Sequence, residues 1–487
     1  MKVAILTEGG GRIGYGHISR CTSVYHALVS YGVTADFIVH STDCMSTLPG
    51  QCLYRIADWI NDPQCLKQAV QNCDVVFVDS YIADLKVYNE ILSYAGKAVY
   101  FDDYRRIEYP EGTVVNGAIS AEKLNYPKAN ALSYLLGVKY FPLKKDFWSV
   151  ASKRIRREVE TILVTCGGSD VCNLTPKIQK LLNHSYPNIA KKIVVTGCFG
   201  NIAQIKSLQD DNTELLFDLD GSEFKDLMLE CDVAISAGGQ TLYELARVGI
   251  ATIAVCVQEN QSLNISGWTE SGAMEYSGWY NDEDFELKLT VALDNMMAYE
   301  RRVVCSESSR AIVDGKGALR IVKETLANHF QNEIVLRPAA NEDAGLVFDL
   351  SNDAVVRRNS FDSKPILWDS HVLWFNNKLA DKNCCFFIVE YGDEIAGQVR
   401  FDIEQETTQA TISICLSANV RGLGLSAIII DKAIEKLHRT LPLVSCVFAY
   451  IKCDNAASIK AFVKSGFEFV ENTVIAGSDS VVYKKSW

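Results

Sequence analysis

Basic charge is in short supply in this sequence. Its 48 lysines and arginines are outnumbered by 60 aspartates and glutamates, leaving a net charge of -12 over 487 residues. A nucleic-acid binder neutralises phosphates with clustered cations, so nucleic acid is not expected as the main partner. A small phosphorylated ligand stays allowed, because backbone amides at helix starts hold phosphate without net positive charge. No apolar run approaches the length of a membrane span, so no membrane insertion is expected. Met1-Lys2 leads straight into the strand-like Val3-Ala4-Ile5-Leu6, without the architecture of a signal peptide. The 16 cysteines include no C-x-x-C pair, which argues against zinc. Most lie in apolar, strand-like settings such as Ile414-Cys415-Leu416 and read as reduced, buried thiols of a cytoplasmic protein.

Glycine, by contrast, is concentrated where strands end. Glu8-Gly9-Gly10-Gly11-Arg12-Ile13-Gly14-Tyr15-Gly16-His17 follows the buried-strand pattern Val3–Leu6 and precedes an apolar-periodic stretch, Ile18 to Val29, that predicts a helix. Five glycines between residues 9 and 16 let the backbone approach a ligand closely and take positive φ. His17 falls at the helix start and at the carboxyl end of the first strand, where open α/β sheets place ligands. Gly9-x-Gly11-x-x-Gly14 matches the dinucleotide fingerprint by letter. Its context does not: Tyr15-Gly16-His17 intervene before the helix, Asp36 falls inside the second strand, and His40-Ser41 occupy that strand's end. No nicotinamide site is expected.

The order of strand-like and helix-like segments divides the chain in three. Residues 1–150 alternate candidate strands Val3–Leu6, Ala35–Val39, Val75–Val78, Ala98–Phe101 and Thr113–Asn116 with helical intervals, which predicts a parallel sheet. A basic stretch from Lys144 to Arg157 reads as a connection. Residues 151–330 restart the alternation with Thr161–Thr165, Lys192–Thr196, Glu214–Phe217, Val233–Ser236 and Thr252–Val257, then helices near Phe285–Met297 and Gly317–Asn328. Two Rossmann-like α/β domains facing a cleft are expected. Residues 331–487 turn to antiparallel-looking strands, Cys385–Glu390, Glu394–Glu404 and Gln409–Ser417, with helices at Ser426–Thr440 and Ala456–Lys464, and a last strand Ser480–Lys485. That pattern predicts an α+β domain.

In the second domain, Val233-Ala234-Ile235 runs into Ser236-Ala237-Gly238-Gly239-Gln240-Thr241-Leu242-Tyr243-Glu244. The amides of Gly239, Gln240 and Thr241 at this helix start are expected to hold a diphosphate, which makes a divalent cation unnecessary. Glu244, one turn on from Gln240, can accept from both hydroxyls of a ribose. Gln258-Glu259-Asn260-Gln261 and Cys166-Gly167-Gly168-Ser169-Asp170 end strands on the same rim. Asp79-Ser80-Tyr81 and Asp102-Asp103-Tyr104-Arg105 end strands in the first domain, as site residues or as ordinary loop acids.

Gly14-x-Gly16-His17-x-x-Arg20-Cys21, with Ser236-Ala237-Gly238-Gly239-x-Thr241-Leu242-x-Glu244 and Glu259-Asn260-Gln261, resembles the UDP-sugar hydrolases of the pseudaminic acid pathway. These are relatives of GT-B glycosyltransferases, and the resemblance covers roughly residues 1–328. It implies hydrolysis of UDP-2,4-diacetamido-2,4,6-trideoxy-β-L-altropyranose to UDP and the free sugar. His17 would be the general base, with its pKa near neutrality. Gly14, Gly16, Arg20, Gly238, Gly239, Gln240, Thr241, Glu244 and Asn260 would bind substrate, Asn260 at the sugar.

Farther on, Asn419-Val420-Arg421-Gly422-Leu423-Gly424-Leu425-Ser426 and Asn455-Ala456-Ala457-Ser458-Ile459 resemble the two signatures of GNAT acetyltransferases, and residues 334–487 resemble that family throughout. The resemblance implies acetyl-CoA at Arg421, Gly422, Gly424, Ser426, Asn455 and Ser458. Phe462 stands where many relatives carry a thiolate-protonating tyrosine, leaving Tyr450 and Tyr483 as candidate donors and Glu390 and Glu404 as candidate bases. The whole reads as a bifunctional enzyme: N-acetylation, expected on a 4-amino UDP-sugar, followed by UDP removal. A glycosyltransferase using the same nucleotide site, or a non-catalytic acetyl-CoA-binding module at the C-terminus, are the other readings.

Overall fold

Runs such as Val75-Val76-Phe77-Val78 and Ile162-Leu163-Val164 lack polar alternation, and in the computed structural model they are strands covered on both faces. The structure describes all residues except 11–13, 42–53, 128–130, 168–169, 171, 196–199, 328–332, 393, 405–407, 419 and 422–423. The chain divides into two units, Met1–Thr325 and Leu326–Trp487.

The first unit holds two parallel sheets. One comprises β1 (Val3–Glu8), β2 (Ala35–His40), β3 (Arg55–Ile56), β4 (Val75–Asp79), β5 (Ala98–Phe101), β6 (Gly112–Asn116) and β7 (Leu132–Leu136), in the order 3-2-1-4-5-6-7. The other comprises β8 (Thr161–Thr165), β9 (Ala190–Val195), β10 (Thr213–Phe217), β11 (Val233–Ala237), β12 (Ala251–Cys256) and β13 (Met274–Trp279), in the order 10-9-8-11-12-13. Both are doubly wound. The strand order reverses between β1 and β4 in the first sheet and between β8 and β11 in the second, and such reversals open a crevice at the strands' carboxyl ends.

The two sheets are joined closely. The connecting segment enters the second core through Phe141, Leu143 and Phe147. The Phe141 ring stacks on Tyr243 at a centroid distance of 3.6 Å. The helix Gly317–Thr325 returns to the first sheet and packs against the helix Gly16–Ser30, with Tyr31 Oη donating to the Leu319 carbonyl at 3.3 Å.

The second unit is one mixed sheet: β14 (Ile334–Pro338), β15 (Cys384–Tyr391), β16 (Glu394–Glu404), β17 (Gln409–Leu416), β18 (Cys446–Lys452), β19 (Glu468–Ile475) and β20 (Ser478–Ser486), ordered 14-15-16-17-18-20-19. Among the described residues its pairings are antiparallel except β17 with β18. That parallel pair extends only over Gln409–Thr411 against Cys446–Phe448, and the strands separate beyond it. The fold class is as expected, α/β followed by α+β. Strands β3, β7, β13 and β19 and the helix Tyr299–Ile312 go beyond the sequence reading; β13 and β19 are edge strands whose polar or exposed residues hide the apolar pattern.

Candidate active site

The reversal point of the first sheet carries a buried polar network. His17 opens the helix Gly16–Ser30 after β1, and Asp79 ends β4 beside it. His17 Nδ1 lies 2.6 Å from Asp79 Oδ1. Asp79 is fully buried and ionised, so it can only accept, and the Nδ1 proton is fixed by that fact. Nε2 is then the ring nitrogen with a lone pair. Burial alone would lower the His17 pKa; the Asp79 carboxylate overrides it and holds the pKa above its ordinary value of 6.5.

Arg20, one turn along the same helix, completes the support. Its Nε donates to Asp79 Oδ2 at 2.6 Å and its Nη2 to Asp79 Oδ1 at 2.7 Å, a bidentate clamp. Its Nη1 donates to Asp103 Oδ1 at 2.6 Å. Against the cost of burial, these contacts hold the Asp79 carboxyl far below the usual carboxylate range. Tyr81 Oη donates to Asp103 Oδ2 at 2.5 Å, and its ring meets the His17 ring edge-on at 4.3 Å. Glu8, at the end of β1, accepts from Ser80 Oγ and from the Tyr81 amide at 2.7 Å, which fixes the loop that follows Asp79. Arg20 is 4% exposed. Its guanidinium is bonded to Asp79 and Asp103.

The glycines behave as local sterics require. Gly14 has φ of +86°, a conformation that L side chains rarely adopt, and its backbone bridges to Gly10 in both directions at 2.7 and 3.2 Å. A Cβ added at Gly16 would lie 3.5 Å from Gln240 Nε2. The loop of the first sheet thus meets the helix start of the second.

At that second helix start, Gly238 N donates to the Val255 carbonyl at 3.0 Å. A Cβ on Gly238 would collide with Ile265 Cδ1 at 2.4 Å, whereas one on Gly239 would meet nothing. The Gly239 amide, expected to point at a ligand, instead donates to the Ala237 carbonyl at 2.9 Å, closing a tight turn. Gln240 and Thr241 remain as the amides that head the helix Thr241–Val248. Glu244 is 8% exposed and forms an ion pair with Lys144 of the connection, Nζ to Oε1 at 3.2 Å. This lysine was not singled out in the sequence, and Glu244 holds its pKa above the ordinary lysine value. Asn260 lies exposed in the turn Glu259–Gln261 on the same rim.

Asp170 does something else. It accepts from the amides of Leu174 and Thr175 at 2.8 and 2.9 Å and so anchors the helix that follows; Gly168 and Ser169 lie outside the described residues. Among the described residues, no three histidine, cysteine or acidic side chains converge as metal ligands do.

In the second unit, Gly424 has φ of +72° and Ser426 heads the helix Ser426–Thr440. Arg421 Nε donates to the Leu416 carbonyl at 2.9 Å and its Nη2 pairs with Asp353 Oδ1 at 2.7 Å, so it braces the end of β17. Gly422 lies outside the described residues. Asn455 Oδ1 accepts from the Ser458 amide at 3.1 Å, capping the helix Ala456–Lys464. Phe462 is buried edge-on against Phe467 at 4.9 Å. Tyr450 is exposed, Tyr483 is half-buried, and Glu390 accepts from Arg337 Nε at 2.7 Å. Glu404 ends β16, away from the separated part of β17 and β18 in register.

Asp79, Tyr81 and Asp103 stand out in the sequence as strand-end residues, with nothing that pairs them with His17. The available signal was the acid directly after the apolar run Val75–Val78, on the strand that a doubly wound order places beside β1.

Compared with known proteins, residues 333–468 match the family described as the Acetyltransferase (GNAT) domain. The chain is 22% identical over 402 residues, 78% of each chain, to the uncharacterized protein MJ1062 of Methanocaldococcus jannaschii. It is 26% identical over 264 residues to the pseudaminic acid cytidylyltransferase and UDP-2,4-diacetamido-2,4,6-trideoxy-beta-L-altropyranose hydrolase of Helicobacter pylori, covering 54% of this chain but 45% of that protein. To the spore coat polysaccharide biosynthesis protein SpsG of Bacillus subtilis it is 24% identical over 245 residues, 49% of this chain and 71% of that one. The chain is related to these proteins and carries a GNAT acetyltransferase domain at its C-terminal end.

Proposed function

We propose that the first unit hydrolyses a UDP-linked diacetamido sugar, UDP-2,4-diacetamido-2,4,6-trideoxy-β-L-altropyranose, and that the second N-acetylates its 4-amino precursor. The observation that carries the hydrolase reading is the His17–Asp79 pair at one reversal point, set against the Gly238–Thr241 helix start at the other. A base with a single available lone pair can take one proton from water as the oxygen attacks the anomeric carbon. The bond from that carbon to the diphosphate oxygen breaks, and UDP leaves with the electron pair. Gln240 and Thr241 amides meet the growing charge at the helix start. The ribose hydroxyls compete with Lys144 for Glu244. The relationship to the Helicobacter pylori protein supports the choice of sugar.

For the second unit, the separated edges of β17 and β18 offer main-chain donors and acceptors to an extended amide-bearing arm, and the start of the Ser426 helix offers amides to a pyrophosphate. Acetyl-CoA has both features. The cosubstrate supplies an activated acetyl group to the amine; Gly424 and Ser426 form the phosphate end of the site. Phe462, buried on Phe467, takes no part in proton transfer, so the leaving thiolate is protonated elsewhere.

The test is mass spectrometry of products. The full chain with UDP-2,4-diacetamido-2,4,6-trideoxy-β-L-altropyranose should give UDP and the free sugar in water, and His17→Ala should abolish both. UDP release that requires a sugar or lipid acceptor would replace hydrolysis by glycosyl transfer. With acetyl-CoA and the 4-amino precursor, CoA and then UDP should appear; CoA release with unrelated amines alone would reassign the second unit.

A further inference from the structure

The helix start that heads the nucleotide site is held by a chain of three hydrogen bonds reaching from the other sheet. The Ile119 amide, in the loop after β6, donates to Tyr243 Oη at 3.0 Å. Tyr243 Oη donates to Asn264 Oδ1 at 2.5 Å. Asn264 Nδ2 donates to the Gly238 carbonyl at 2.9 Å. The directions are forced. A backbone carbonyl only accepts, so it must face the amide nitrogen of Asn264; the amide oxygen then faces Tyr243, whose hydroxyl gives it a proton and accepts from Ile119.

We propose that Tyr243 and Asn264 are positioning residues for phosphate binding. They hold the Gly238 peptide so that the Gln240 and Thr241 amides aim at the diphosphate. Gly238 is fixed on three sides: its amide on Val255, its carbonyl on Asn264, and its α-carbon against Ile265. The next amide, of Gly239, is turned back onto Ala237 at 2.9 Å. With both planes set, the next two amides are left at the helix end. The Tyr243 ring cannot swing, because Phe141 stacks on it at 3.6 Å and 7° and Trp268 meets its edge at 5.1 Å. Ser120, beside Ile119, donates to the Leu263 carbonyl at 2.7 Å, so the first sheet's loop grips the relay at Tyr243 and again beside Asn264. The sequence motif leaves position 243 unspecified, and neither residue touches the reacting atoms. The inference rests on the reading that this loop holds the diphosphate of UDP.

Tyr243→Phe keeps the stacked ring and removes two of the three bonds; Asn264→Ala keeps Tyr243 and removes the link to Gly238. Calorimetric titration of the full-length variants with UDP and with uridine separates positioning from packing. Each variant should bind UDP about tenfold more weakly, the loss expected from one buried hydrogen bond, with uridine affinity unchanged. The double variant should be no weaker than the single ones, since one relay is cut once. Unchanged UDP affinity in both variants, or equal weakening toward uridine, overturns the proposal. If Tyr243→Phe misfolds, Asn264→Ala decides alone, with its uridine affinity as the control for an intact first unit. A wild-type chain that binds neither UDP nor uridine overturns the nucleotide reading itself, and the relay's role with it.

Discussion

Asp79→Asn tests the core of the proposed chemistry with one atom changed. The wild-type carboxylate accepts from His17 Nδ1 at 2.6 Å and from Arg20 at 2.6 and 2.7 Å. An asparagine has one accepting oxygen for these donors, and its NH₂ must face either Arg20 or the imidazole. Facing the imidazole, it donates to Nδ1 and forces the proton onto Nε2, which removes the lone pair that takes the proton from water. The equivalent change in Ser-His-Asp sites lowers kcat by about 10⁴, and a fall in kcat on the order of 10²–10⁴ with little change in KM is expected here. Stability falls as well. Arg20 stays buried with Asp103 as its remaining carboxylate partner, a loss of roughly 3 kcal/mol for a broken buried pair. In a unit of this size that lowers Tm by roughly 5 °C. The pH profile gives the sign. A base works when unprotonated, so the wild-type rate should rise through a pKa above 6.5. Without the carboxylate, burial prevails and the pKa falls, so the residual activity should rise at lower pH than in wild type. The same linkage makes the wild-type His17–Asp79 contribution to stability full between the ordinary carboxylate range and pH 6.5; it is lost as pH rises through the folded-state pKa of His17, and on the acid side only as Asp79, held far below its ordinary value, takes up a proton. A continuous UDP-release assay and a thermal melt suffice. Turnover within threefold of wild type, or an unmoved acid limb, would refute the pairing.

Other outcomes follow from packing. Gly238→Ala places a Cβ 2.4 Å from Ile265 Cδ1, so the buried Ile265 side chain must leave its rotamer or the glycine loop must shift; UDP affinity measured by titration should fall at least tenfold while the acetyl-transfer rate holds. Arg302→Met deletes a buried guanidinium that donates to the carbonyls of Met296, Met297, Arg156 and Arg157 at 2.7–2.9 Å. It should destabilise the first unit by about 3 kcal/mol in denaturant melts without altering KM for the UDP-sugar. Asp353→Ala frees Arg421 from its 2.7 Å ion pair at the end of β17, and KM for acetyl-CoA should rise several-fold in steady-state assays with kcat for UDP release unchanged.

Much of this was legible because buried parallel strands announce themselves. Thr161–Thr165 and the helices Phe285–Met297, Ser426–Thr440 and Ala456–Lys464 have the limits the sequence predicts. The edges were not. β13 carries Glu275, Tyr276, Ser277 and Gly278, and β19 leaves Phe469, Val470 and Val474 half exposed, so neither has one-sided burial to produce a pattern. His17 could be read from its glycines and its place after β1. Its partners could not, since Asp79 and Asp103 stand 62 and 86 residues away and only the 2-1-4-5 order of the sheet brings them to it. The Gly239 amide escapes the sequence for a related reason: whether a glycine turn presents its N–H or folds it back depends on how that peptide plane is set, and here the plane's other group, the Gly238 carbonyl, is held by Asn264, 25 residues on from Gly239.

The segment around Phe141 bears on how this protein can be taken apart. Its backbone is pinched between Gly117 and Gly317, where an added Cβ would lie 2.6 and 2.0 Å from Phe141 atoms, and its ring is buried on Tyr243. The passage from one sheet to the next is therefore a keystone rather than a tether. A protease nick there would leave the fragments associated, and neither sheet could be exchanged for a homologue's without carrying the Gly317 helix along. The first 325 residues are built to behave as one piece.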